Sequence, residues 1–191
     1  EINRQKPKIA NGETLEILDD GAIVMHVELP ENKYADLNII NIFTQGAGDT
    51  ITFPADGFKA TDAEINGEKV NFADYLTAKK IDTRLPLVAN YCGAMINTSI
   101  QGIDQQQKQV TFYAPVFKGI EYKIAAPIDD YITAFMKQLP QEDTGQIFFS
   151  CNCILNYVYS NLAGKKTGEI MGPITFGEIA YQLLNQTLAY I

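Results

Sequence analysis

Apolar residues in this chain recur mostly at every second position, in short runs bounded by Gly, Pro, Asn and Asp. That is the period of a half-buried β-strand rather than of a helix. Residues 14–17 and 22–29 predict an early hairpin across Asp19-Asp20-Gly21, ended by Pro30. Residues 37–43 and 50–53 continue the pattern, with Gly46-Ala47-Gly48-Asp49 as the turn between them. Residues 58–65 form another strand, followed by Asn66-Gly67, a strong hairpin dipeptide. Residues 87–91, 94–103, 110–114 and 120–125 read as further strands, the last two paired across Lys118-Gly119.

The 3.6-residue period surfaces three times. Asn71 is placed to cap a helix through Phe72, Tyr75 and Leu76 that ends near Lys80. Asp129 and Asp130 open a second, with Tyr131, Phe135 and Leu139 on one face and Pro140 as its stop. A third follows the apolar run 147–150, expected as a buried central strand. Leu155, Val158 and Leu162 fall on its face, and Gly164, Lys165 and Lys166 end it. Gly168, Glu169 and Pro173 then belong to a loop, and segments 174–181 and 186–191 read as a hairpin turning at Leu184-Asn185. Many strands in hairpin order with about three helices predict an α+β fold, mostly antiparallel sheet with helices packed on its face. Residues 1–70 form a β-rich N-terminal segment, beginning with a polar arm over 1–13, and 71–191 an α+β domain. The two are expected to make one compact unit.

A length of 191 residues suits one domain, and 46% apolar content supplies a full core. The net charge of −8, with scattered basic residues, argues against nucleic acid and against anionic membrane surfaces. Three cysteines, Cys92, Cys151 and Cys153, make no disulfide framework and favour a reducing, cytoplasmic setting. The chain begins at Glu1 rather than at Met, so a trimmed or processed N-terminus is part of the expectation.

The densest chemistry lies at Ser150-Cys151-Asn152-Cys153, where strand passes into helix. Such a junction offers small side chains and backbone N–H groups that suit a carboxylate, and its helix end would lower a thiol pKa. The plain alternative is two small buried cysteines that pack the junction. Zinc would need about four soft ligands, and only Cys92 and His26 remain beyond this pair, so no metal and no cofactor is expected. A nucleophilic hydrolase or transferase would use Cys151 or Ser150 with His26 as base, but the surroundings are not G-x-S-x-G and His26 sits within a strand pattern. The other alternative is an interaction module without a ligand, its pocket filled by its own side chains. Asn97-Thr98-Ser99 and Asn185-Gln186-Thr187 match the glycosylation pattern, which carries nothing in a cytoplasmic chain.

The order of motifs resembles the C-terminal domain of the FIST family over roughly residues 60–191. The residues that carry the likeness are Phe149-Ser150-Cys151, the Gly172-Pro173 loop, Thr175-Phe176-Gly177-Glu178-Ile179 and the terminal Asn185-Gln186-Thr187 strand. Upstream, Glu64-Ile65-Asn66-Gly67-Glu68-Lys69, Leu85-Pro86-Leu87 and the stretch from Phe117 to Tyr122 fit the same order. The resemblance implies a non-enzymatic sensory module of bacterial signalling that binds amino-acid-like ligands and acts on a partner protein. An Arg expected shortly after the cysteine is replaced here by Cys153 and Ile154. The expected ligand cleft lies between Ser150, Cys151, Asn152 and Cys153 on one side and Gly172, Phe176, Gly177 and Glu178 on the other. Gly172 and Gly177 would leave room, and Glu178 would hold an amine.

Overall fold

The computed structural model describes residues 8–139, 147–160, 162–165 and 170–191. The positions expected for Pro140, Lys166, Gly168 and Glu169, and the first seven residues of the polar arm, lie outside the described residues. The chain gathers into two compact units, Glu1–Ala35 and Asp36–Ile191.

In the first unit, β1 (Ile9–Ala10) pairs antiparallel with β2 (Ile17–Leu18). Asn11 shapes the link: its Oδ1 accepts the N–H groups of Glu13 at 2.9 Å and Thr14 at 3.2 Å. The strand expected over 22–29 does not form. Those residues join no ladder, and Ile23, Val24 and Met25 are exposed. An alternating pattern becomes a strand only where another edge offers N–H and C=O partners, and the two-residue ladder of β1 and β2 does not extend to it.

The second unit is α+β, with mostly antiparallel sheets and three helices among the described residues. Its first half is built from β4 (Ile51–Thr52), β5 (Gly57–Ala60), β6 (Asp62–Ile65), β7 (Glu68–Asn71), β8 (Leu87–Tyr91), β9 (Ala94–Thr98), β10 (Ile100–Asp104), β11 (Gln109–Val116) and β12 (Tyr122–Ile124); β3 (Asn38–Ile40) precedes them and joins a later sheet. Six strands run in the order β7-β6-β4-β12-β8-β9, and three in the order β10-β11-β5. The chain changes sheet at Thr61 and again at Ser99, which lets the two sheets enclose one core. Phe53 is its hub, edge-on to Phe72, Phe112 and Tyr122 at ring distances of 5.2, 5.7 and 5.6 Å.

Asn66 and Gly67 take φ of 52° and 88°, the twist a two-residue hairpin needs between β6 and β7. Helix α1 (Phe72–Ala78) follows at once. Asn71 caps it, accepting the Asp74 N–H at 3.0 Å, which contributes about 1 kcal/mol. Phe72, Ala73 and Leu76 are its buried face. The expected pairing of the strands either side of Lys118-Gly119 is corrected: β11 pairs with β10 and β5, and β12 with β8 and β4. Alternate residues of β11, from Val110 to Val116, are all buried, so the link carries the chain across to the other sheet instead of folding it back.

The second half adds α2 (Tyr131–Gln138), β13 (Ser150–Cys153), α3 (Ile154–Tyr159), β14 (Ile174–Thr175), β15 (Glu178–Ala180), β16 (Gln182–Leu184) and β17 (Leu188–Tyr190). Asp130 caps α2 through Thr133, and Tyr131 and Phe135 stack at 5.9 Å in a second core with Ile40, Leu162 and Leu188. Four strands run β14-β13-β17-β3, with β13 and β14 parallel.

Three expectations change here. The interior strand begins at Ser150, not at residue 147, and Phe148 and Phe149 are exposed, although the N–H of Phe148 still reaches Ile191 O at 2.7 Å. Segments 174–181 and 186–191 do not pair with each other. Instead β15 folds onto β16 at Tyr181, and β17 joins β13 and β3, because residues 185–187 are a buried link rather than a surface turn. Finally, α3 ends before Leu162, and Val158 faces solvent; Leu155 and Asn156 are its buried residues.

Candidate functional site

A cleft of about 230 Å³ opens over one face of the four-stranded sheet. Ser150 and Asn152 project from β13, Ile174 from β14 and Leu188 from β17; Tyr157 of α3, Leu162, Lys165 and residues 170–172 supply the rest of the lining. Strand alternation puts Ser150 and Asn152 on the same face. Apolar Leu162, Ile170 and Leu188 belong to the core that also holds Tyr131 and Phe135, so the floor is a continuation of packed structure.

Of the residues singled out in the sequence, Ser150, Asn152 and Gly172 line this cleft. The Ser150 hydroxyl donates to Met171 O at 2.9 Å and ties the loop to the strand. Asn152 Oδ1 accepts from Asn156 Nδ2 at 3.0 Å. Gly172 leaves no spare room: a Cβ there would lie 2.0 Å from Ser150 O, so its bareness is taken up by the backbone of β13.

Cys151 and Cys153 alternate to the other face of β13, away from this lining. Cys151 packs against Ala180, Leu184 and Ala189, and Cys153 is fully buried. Of the two readings of this pair, the one seen is that of small cysteines that pack the junction, and a thiol activated by the helix end is not. Burial, reinforced by the Glu178 carboxyl, pushes the Cys153 thiol up to about 11 and raises Cys151 in the same direction. Loss of hydration outweighs anything a six-residue helix can offer at its N-terminus. His26 belongs to the first unit.

Phe176 is exposed. Gly177 has φ +142°, which L side chains rarely adopt, and that backbone shape is its reason for being glycine. Glu178 is absent from the cleft lining and only 2% exposed. Its Oε1 accepts from the Thr187 N–H at 3.1 Å and from the Thr187 hydroxyl, while its buried Oε2 has no partner. Burial raises its pKa to about 7, against the opposing hydrogen bonds from Thr187 and the Cys153 thiol.

Around Thr187 lies a buried polar lattice that the pattern of the sequence does not announce. Asn97 Nδ2 donates to Asn41 Oδ1 and Asn185 O at 3.0 and 3.1 Å. Ser99 Oγ donates to Gln186 Oε1 at 2.8 Å, and Gln186 Nε2 to Arg84 O at 3.1 Å. Asn156 Nδ2 reaches Thr187 O at 3.2 Å as well as Asn152. The two triplets that match a glycosylation pattern are thus internal, with Asn97 and Asn185 at most 1% exposed. The only signal in the sequence was their polarity amid apolar strands.

Over residues 1–191 the chain matches a family described as "Family of unknown function (DUF6976)". The chain belongs to that family. The match covers the whole DUF6976 chain, so the resemblance to the FIST family is corrected: short motifs in a shared order, each a turn or strand end common to many sheets, were not evidence of common descent. No curated protein and no solved structure matches the chain. Among the described residues, no group of His, Cys, Asp and Glu could hold a metal ion, and no helix is long and apolar enough to cross a membrane.

Proposed function

We propose that the unit Asp36–Ile191 is a binding module for a small molecule, which it holds in the cleft over β13 without turning it over. One observation carries this reading. Asn152, Tyr157 and Lys165 border a concavity floored by Leu162, Ile170 and Leu188, the combination of a few polar groups on an apolar surface that small-ligand sites share. The volume of about 230 Å³ suits a molecule on the order of eight non-hydrogen atoms, taking ~30 Å³ for each as for water. The thiols do not favour catalysis, since burial raises both above the usual thiol range and so disfavours the thiolate. The link to signalling came with the FIST resemblance and goes with it.

The test is a thermal-shift screen of amino acids, short peptides and small acids, because a ligand of the native state must raise its stability. A genuine hit raises the midpoint of the wild-type protein and not that of Ile174→Trp, which fills the cleft from an exposed edge position. A hit unaffected by Ile174→Trp places the ligand elsewhere, and a screen without hits removes the reading.

A further inference from the structure

Resting on the proposed role of the cleft, we infer that its ligand is a small organic acid with an apolar body and no ammonium group. The described lining carries one cation, Lys165, and no carboxylate. Lys165 takes part in no ion pair among the described residues. The Asp130 carboxylate feels the Lys165 charge without forming an ion pair with it, and both its oxygens accept from Thr133.

The remaining polar groups point the same way. Asn152 has its oxygen engaged by Asn156, which leaves its amide N–H groups without a partner among the described residues. The Tyr157 hydroxyl has no partner among them either. Ser150 gives its hydrogen to Met171 O, so both members of that bond are already occupied. The cleft therefore offers an ammonium, amide N–H groups and a phenol, which is a donor set for an anion.

An amine finds nothing comparable. The carboxylate that the sequence suggested for it, Glu178, lies outside the lining and is turned to Thr187. Leu162, Ile170, Ile174 and Leu188 leave the rest of the ligand an apolar contact. The net charge of −8 opposes any anion at long range, so binding depends on the local cation.

Four matched probes separate the possibilities: hexanoate, hexanamide, hexylammonium and norleucine, titrated at pH 7.5 by calorimetry and by amide shift changes at cleft residues. Hexanoate should bind at least tenfold more tightly than each of the other three. Lys165→Met, an exposed change whose fold is checked by its thermal midpoint, should weaken hexanoate about tenfold and hexanamide less than twofold. Equal affinity for hexanamide, hexylammonium or norleucine, or an unchanged hexanoate affinity in Lys165→Met, overturns the acid assignment and leaves small-molecule binding standing. The acid assignment also falls if all four probes fail while another screened compound occupies the cleft. If the probes and the whole screen fail, binding itself is refuted.

Discussion

Replacing Glu178 by Gln should remove a pH dependence of stability that the wild-type protein carries between about pH 5 and 8. The carboxyl is 2% exposed, and burial moves its pKa from 4.5 to about 7. Below 4.5 it is protonated in both folded and unfolded chains and costs nothing. Between the two values the unfolded chain gives up its proton while the folded one keeps it, so stability falls as pH rises. Above about 7 the folded chain holds a buried carboxylate and the loss is complete. A shift of this size corresponds to about 3 kcal/mol, at ~1.4 kcal/mol per pKa unit. The depressed carboxyls of Asp49, Asp82 and Asp130 act in the opposite sense, but their contribution is fully present above their unfolded value of 3.8. The Cys153 thiol acts only above 9, its unfolded value. The variant keeps an Oε1 for the Thr187 N–H and hydroxyl, and puts an N–H donor where Oε2 has no partner. Urea unfolding at pH 5, 6, 7 and 8, followed by circular dichroism because the chain has no Trp, reads both proteins. Wild type should lose about 2.5 kcal/mol across the series relative to Glu178→Gln, since part of the loss has already occurred by pH 5. Parallel pH profiles would mean that Glu178 ionises normally in the folded chain, and the argument from burial would be wrong.

Two further outcomes follow from contacts around β13. Gly172→Ala brings a Cβ to 2.0 Å from Ser150 O, a backbone atom that cannot swing aside, and should cost about 1–3 kcal/mol by urea unfolding, whereas Gly48→Ala, with nothing within 4 Å, should stay near wild type. Under native conditions at pH 7.5, iodoacetamide followed by peptide mass spectrometry should modify exposed Cys92 first, half-buried Cys151 slowly and Cys153 only after unfolding; rapid modification of Cys151 or Cys153 would restore the case for a thiol nucleophile.

What could be read from the sequence was what neighbours along the chain decide. Asn66-Gly67 makes its hairpin because two adjacent residues must take positive φ, and Asn71 caps α1 because its side chain meets an N–H three residues on. The alternation through Val110, Phe112 and Ala114 correctly marked a strand, which runs on to Val116, and the spacing of Tyr131 and Phe135 marked the buried face of α2. Pairing was a different matter. Nothing local tells β11 to choose β10 and β5 over β12, or sends β17 to β13 instead of back along β15, since each choice is settled by which core the side chains fill.

The same limit governs the site. Ser150, Asn152 and Gly172 stand out in the sequence as small residues near a strand end, and they do meet at one cleft, but Gly172 is bare because β13 lies against it. Lys165, which gives the cleft its sign, stands out only as a helix-terminal charge. Glu178 is misplaced by its sequence context for an instructive reason. Its neighbours Gly177 and Ile179 fit a carboxylate at a cleft as well as one in a core. The deciding partner is Thr187, brought in by the tight β15–β16 fold at Tyr181, where φ is 66°. Once the turn moves to Tyr181, β17 passes to β13 and Thr187 enters the core beside Cys153, whose N–H donates to Thr187 O at 3.1 Å. The carboxyl is then enclosed with a thiol and a hydroxyl instead of an amine, and what it governs is the pH dependence of stability rather than contact with a ligand.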